Sequence, residues 1–325
     1  MLEVKLFTRQ EVERLLTMES AIAAVERAFA QQAEGKAVMP PKVYLDVPGG
    51  VGDFRAMPGY IDEIAGIKWV SVFPDNAKRN LPTVMATIIL SDPETGRPLA
   101  IMDGTYITET RTGAAGGVAA RYLARKDSAT AGLVGAGIQA EAQLLALKIV
   151  LPSLNRVKVF DINVEAARKY AASMGKRLGM NIDIARTAEE AADADIVVTT
   201  TPSRSPVIKG QVKPGTHINA IGADAKGKQE LDPVILAKAK IVVDEIEQAS
   251  HSGEINVPLS AGLLRLTDVY GTLGEVISGA KKGRENDAEI TVFDSTGLAI
   301  QDIACAKLVY LKAADKSCAA VGLSG

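Results

Sequence analysis

Apolar and polar positions change their period once along this chain. Up to about residue 104, short runs alternate with a period of two: KVYLDVP, FRAMPGY, GIKWVSVF, TVMATIIL and PLAIMDG, separated by the turn clusters PGGVGD, PDNAKRNLP and SDPETGR. Successive strand residues point to opposite faces, so this alternation predicts a mainly antiparallel sheet. Ahead of it, Thr8-Arg9-Gln10-Glu11 has the form of a capping box, and the amphipathic run SAIAAVERAFAQQAEG ends in a glycine stop. The chain is therefore expected to open with helix. From TETRTGAAGGVAARYLARKD onward, apolar strands (TAGLVG, RVKVFD, DIVVTTT, THINAIGAD, KIVVDE, ITVFDS) alternate with helical runs such as IQAEAQLLALKIVL and NVEAARKYAASMGKRLG. That grammar predicts right-handed βαβ crossovers and a parallel sheet covered on both faces. The last helical run, GLAIQDIACAKLVYLKAA, is read as returning to the first domain. The expected fold is α/β: a Rossmann-type doubly wound domain over 113–298, and an α+β domain with a mainly antiparallel sheet over 1–112 with 299–325.

Composition narrows the function. The 325 residues are 47% hydrophobic and 23% charged, with a formal net charge of -2, which suits two cored domains and indicates neither a nucleic-acid-binding surface nor an acidic tail. No apolar run approaches the ~20 residues that span a bilayer. The start, MLEVKLFTRQEVERLL, mixes charge with apolar residues, unlike a signal peptide, so a cytoplasmic protein without a membrane partner is expected. Cys305 and Cys318, and His217 and His251, are the only cysteines and histidines. They lack metal-ligand spacing, so neither a metal site nor a disulfide framework is expected.

Three stretches carry candidate chemistry. In IAGIKWVSVFPDN, Lys68 falls on the same strand face as Val70 and Val72, where an ammonium either snorkels from an edge strand to water or meets a countercharge. GLVGAGIQA places Gly135, Gly137, Ile138, Gln139 and Ala140 in a G-x-G-x-x-A turn between strand and helix, and the next strand ends in Asp161. Glycines let the backbone approach a pyrophosphate, helix N-terminal N–H groups face it, and the carboxylate accepts from the adenosine ribose hydroxyls. A 2′-phosphate would meet Asp161 as a like charge, and INVE after it holds no Arg or Lys, so NAD is favoured over NADP. Thr200 and Thr201 close the DIVV strand, either lining the cofactor groove or simply turning before Pro202. In INAIGADAKGKQEL, Gly222 and Asp224 follow another apolar strand; Asp224 is either a turn cap or a group near the nicotinamide. Arg111 heads the Gly/Ala-rich helix of ETRTGAA.

Together with MPPKVYLDVP, TRTGAAGG, VTTTPSRSPV, GEI and FDSTGLAIQD, taken in order and spacing, these motifs make the chain resemble the ornithine cyclodeaminase/μ-crystallin family over essentially its whole length, most closely the archaeal alanine dehydrogenase branch. The resemblance implies a homodimer whose N-terminal domains and C-terminal helix make the subunit contact, with sheets of two chains joining into a barrel. It implies that Lys68, Arg111 and Asp224 face the substrate beside the nicotinamide, that Thr112 meets cofactor phosphate, and that Ser295, Thr296 and Gly297 lie near the nicotinamide. The activity implied is reversible NAD-dependent oxidative deamination of L-alanine to pyruvate and ammonia. Asp224 would activate water, Lys68 would polarise the developing oxygen, and Arg55 with Arg111 would hold the carboxylate. A substrate carboxylate or carbonyl oxygen would then be the countercharge of Lys68. Ornithine cyclodeamination, imino-acid reduction and non-catalytic NAD(P)H-dependent ligand binding are the rivals. Arg55 stands where the cyclodeaminase pattern has an acid for the distal ammonium, which speaks against ornithine.

Overall fold

The computed structural model describes residues 3–313 and 319–322; Cys318 lies outside them. The chain divides into two compact units, Met1–Arg111 with Leu298–Gly325, and Thr112–Gly297. No helix among the described residues is long and apolar enough to cross a membrane.

The first unit contains β1 (Glu3–Phe7), α1 (Arg9–Leu15), α2 (Met18–Ala33), β2 (Val43–Asp46), β3 (Asp53–Ile61), β4 (Ile64–Val72), β5 (Val84–Ser91) and β6 (Pro98–Asp103), and α3 (Thr105–Leu123) starts in it. The expectation that the chain opens with helix is corrected, because EVKLF forms a strand that pairs parallel with β6. Five residues of alternating polarity beside a strong helix signal are easily absorbed into that helix. The capping box itself is present: Glu11 N–H donates to Thr8 Oγ1, and Thr8 N–H to Glu11 Oε2 at 2.8 Å. From β2 to β6 every neighbouring strand is antiparallel. Register places Tyr44, Arg55, Met57, Lys68, Val70, Ala86 and Ile88 on one face, and from Arg55 onward all of these are buried.

The second unit runs through β7 (Thr130–Val134), α4 (Ile138–Val150), β8 (Arg156–Phe160), α5 (Val164–Leu178), β9 (Ile182–Ile184), α6 (Ala188–Ala192), β10 (Ile196–Thr199), β11 (Arg204–Ile208), β12 (His217–Ala220) and β13 (Gln229–Leu231). It continues with α7 (Pro233–Leu236), β14 (Lys240–Val243), α8 (Ile246–Ser252), α9 (Asn256–Ser260), β15 (Val269–Thr272), α10 (Leu273–Ile277) and β16 (Thr291–Asp294). Its main sheet has the order β15-β14-β16-β12-β10-β7-β8-β9 and is parallel throughout. The order reverses between β7 and β10, the switch point at whose carboxyl edge ligands lie in doubly wound folds. The glycines of TGAAGG serve close packing: a Cβ on Gly116 would lie 2.0 Å from Gln143 Oε1, and one on Gly113 would lie 2.5 Å from the Ala142 carbonyl.

The chain then re-enters the first unit as α11 (Ala299–Lys312) and β17 (Ala319–Gly322), the latter antiparallel to β1. Ala299 of α11 joins Met57, Val70 and Ala86 in one apolar cluster, and a Cβ on Gly59 would touch Ile303 and Ala299. Helix α11 thereby covers the buried face of the antiparallel sheet.

Candidate active site

In the second unit the candidate cofactor residues line up along one edge of the parallel sheet. Gly135 follows β7 with φ +102°, a conformation L side chains rarely adopt, and a Cβ there would lie 2.6 Å from Thr200 Oγ1. Gly137 is the N-cap of α4, without a side-chain cap, and a Cβ added to it meets nothing within 4 Å. Open space above uncapped N–H groups at Ile138 and Gln139 is what an anionic pyrophosphate requires. Asp161, after β8, accepts from Ala136 N–H at 2.9 Å and from Asn163 N–H at 2.8 Å. Each carboxylate oxygen retains a second lone pair for a ribose hydroxyl. Thr112 is buried, and its carbonyl accepts from Gln143 Nε2 at 2.8 Å. Gln143 and Gly116 in turn accept from Asn219, which bonds the buried, uncharged His217.

The loops along that edge are held by buried carboxylates that sequence reasoning did not single out. Glu230 accepts from Thr201 N–H at 2.6 Å and from Gly222 N–H at 2.8 Å. Burial raises its pKa above the usual carboxylate value, and the N–H donors oppose the rise. Asp244 accepts from Thr296 N–H at 2.6 Å and from Gly297 N–H at 2.7 Å. Ser295 N–H donates to the Ala220 carbonyl at 3.1 Å, while its buried hydroxyl has no hydrogen-bond partner among the described residues. Asp224 lies beyond β12, its carboxylate 2.5 Å from Lys228 Nζ and about one-third exposed. It caps no helix among the described elements. The five candidate turns, 135–139, 161, 200–201, 222–224 and 295–297, thus follow neighbouring parallel strands.

In the first unit, Lys68 and Arg111 converge on one acid. Lys68 is 1% exposed, and its Nζ lies 2.7 Å from Asp302 Oδ2; Arg111 Nε donates to Asp302 Oδ1 at 2.9 Å. Arg111 Nη1 also donates to Gln301 Oε1 at 3.1 Å, leaving Gln301 Nε2 buried without a partner among the described residues. Burial first, then the Arg111 charge, lowers the Lys68 pKa to about 7 against the pull of Asp302. The snorkelling alternative is excluded, and the expectation that a substrate supplies the countercharge is corrected: Asp302 of α11 does. Arg55 lies on the same sheet face and is itself paired, with Nε 2.6 Å from Asp53 Oδ1 and its guanidinium over the Tyr44 ring. Asp302 and Gln301 carry one faint signal, two adjoining polar residues in the otherwise apolar stretch 299–306.

No group of three or more His, Cys, Asp or Glu among the described residues is arranged to hold a metal ion. The family model described as ornithine cyclodeaminase/mu-crystallin matches residues 3–317. An alanine dehydrogenase of Archaeoglobus fulgidus is 55% identical over 317 residues, 97% of either chain. Among solved structures, an archaeal alanine dehydrogenase dimer with bound NAD superposes with a TM-score of 0.95 at 53% identity, covering 99% of this chain and 100% of that one. Thermococcus litoralis Δ1-pyrroline-2-carboxylate reductase, in complex with NADH and L-proline, superposes at 0.94 with 42% identity over 98% of this chain and 100% of that one. The chain belongs to the ornithine cyclodeaminase/mu-crystallin family.

Proposed function

We propose that this chain is an NAD-dependent L-alanine dehydrogenase, catalysing reversible oxidative deamination of alanine to pyruvate and ammonia. The observation that carries the reading is the charge count around Lys68. Lys68 and Arg111 share the single carboxylate of Asp302, while Arg55 is neutralised by Asp53. Lys42 also acts on Lys68 as a like charge, so positive charge is in excess there and suits a substrate monocarboxylate, whereas a second ammonium, as in ornithine, would add to the excess. The Asp53 pair shifts the case against a diamino acid from Arg55 alone to this net charge. The 55% identical alanine dehydrogenase adds support.

NAD would sit on the Gly135–Gln139 turn with its adenosine ribose at Asp161, and Thr112, Thr200, Thr201, Gly222, Ser295, Thr296 and Gly297 would complete its contacts. When bound, its nicotinamide ring accepts a hydride from the substrate α-carbon. The chain's own residues bind and move protons. The guanidinium fork of Arg111 suits bidentate hold of the carboxylate, beside Gln301 Nε2, which has no partner among the described residues. Lys68, titrating near neutrality, can take a proton from the hydroxyl of the hydrated intermediate in deamination and return it to the carbonyl oxygen in amination. Asp224 would accept the proton of the attacking water and give it to the amino group, which leaves as ammonia as the C–N bond breaks and Lys68 takes the hydroxyl proton.

The same cluster would receive the carboxylate of a cyclic imino acid, and the 42% identical reductase crystallised with L-proline favours that as the second reading. A homodimer is also proposed. Val43, Leu45, Trp69, Met85 and Ile89 lie on the other face of the antiparallel sheet and each is more than one-third exposed. That is an apolar surface suited to a second copy. Consumption of NADH on mixing with pyruvate and ammonia tests the activity; no consumption would refute it.

A further inference from the structure

Asp302 does more than neutralise charge. Its carboxylate has one oxygen on Lys68 Nζ at 2.7 Å and the other on Arg111 Nε at 2.9 Å, and it is fully buried. The two cations come from distant parts of the sequence, β4 and α3, and the acid from α11. Two like-charged side chains in one desolvated place repel unless something lies between them, and the shared carboxylate occupies that place.

Resting on the reading of Lys68 and Arg111 as substrate-handling groups, we propose that Asp302 is the positioning residue of this site: its carboxylate fixes the ammonium and the guanidinium relative to one another and holds the transferable proton on Lys68. Among the described residues around Lys68, Asp302 is the group suited to that task. Met57 and Ile88 face Lys68 across β3 and β5. Among the described residues, Arg111, Lys42 and Asp302 are the charged groups that act on it most, and of these three Asp302 favours the protonated ammonium. Arg55 is committed to Asp53. Cys305, one turn along α11, is buried, with its pKa pushed up to about 12 chiefly by burial, so it stays a neutral thiol. Gln301 shares the load on Arg111 but carries no charge.

The consequence is directional. An opposite charge at contact distance raises an amine's pKa, and removing it lowers the pKa by about 1–3 units. With a neutral amide at position 302, Lys68 would lose its proton at lower pH. Amination of pyruvate needs that proton, so its alkaline limb must move down.

The test is the pH profile of kcat for NADH oxidation with pyruvate, free ammonia held constant, for the parent, Asp302→Asn and Asp302→Glu. Asp302→Asn should move the alkaline limb down by about one unit or more and raise KM for pyruvate, with NADH affinity unchanged. Asp302→Glu keeps the charge, so its limb should stay within half a unit of the parent's even if kcat falls. An Asp302→Asn limb at the parent's position would overturn the proposal. If Asp302→Asn fails to fold, an Asp302→Glu limb displaced by a full unit would do the same. Lys68→Ala in the same series separates the two claims. If Lys68→Ala retains the parent's rate, the substrate-handling reading itself has failed; if it is inactive while Asp302→Asn is normal, only the positioning role has.

Discussion

Lys68 is an ammonium in a strand face otherwise made of Met57, Val70, Ala86 and Ile88, and it is 1% exposed. A lysine with no functional partner would be better replaced there by Met, since burial of charge costs free energy even when paired. Lys68→Ala should therefore keep the fold and NADH binding while losing about 10²–10⁴-fold in kcat, the usual loss for a positioned acid or base. Asp224→Ala should do likewise. Steady-state kinetics beside NADH fluorescence titration measures both, and near-parental kcat in either variant would remove that residue from the mechanism. At this scale the sequence was partly readable. Lys68 violated a period-two pattern and Gly135 sat in a known turn. Asp302 meets Lys68 only because α11 returns to the sheet more than two hundred residues later, which no local pattern reveals. Glu230 and Asp244 are illegible in the sequence for the same reason, since they accept from backbone N–H groups of other loops.

Elements were more legible, because each declares its own period. The strands KVYLDVP to PLAIMDG and the alternating βα run stand where the pattern put them, whereas β1 was lost beside the capping box of α1. Pairing partners were not legible, and the end of β16 shows why that matters. Asp294 is buried among Asp244, Glu230 and Glu254, accepts from Ile255 N–H at 3.1 Å, and has its pKa pushed from 3.8 up to about 8, chiefly by burial. Between those two values the folded chain holds a proton that the unfolded chain releases, so stability is fully present below the lower value and declines as pH rises through the upper one. Asparagine mimics the neutral acid at every pH. The melting temperature of Asp294→Asn relative to the parent should thus climb from pH 5 to pH 8.5, by about 2–4 °C for each kcal/mol recovered. Parallel melting curves across that range would show that Asp294 is ionised in the fold.

At the scale of the whole molecule, the family was legible in the order of motifs, while the second face of the antiparallel sheet was not recognisable as a surface until its register was known. Phe54 and Trp69 stack there with ring centroids 5.3 Å apart, and Trp69 remains 44% exposed. A second copy covering that face should give a light-scattering mass near twice the 34.2 kDa of one chain, and Trp69→Asp should lower it toward one chain. A parent mass of a single chain would refute the dimer. The central claim, that the excess of positive charge around Lys68 selects a small monocarboxylic amino acid, is tested most directly by rates on one enzyme preparation with matched cofactor. NADH formation from L-alanine and NAD is compared with proline formation from L-ornithine and with NADH consumption on Δ1-pyrroline-2-carboxylate. The expected result is kcat/KM for alanine above that for ornithine by at least about 100-fold, the several kcal/mol that a like charge costs in a desolvated site, and kcat/KM in pyruvate amination above that for the cyclic imino acid. Faster reduction of the cyclic imino acid would favour the second reading over alanine, and faster proline formation from ornithine would contradict the charge account itself.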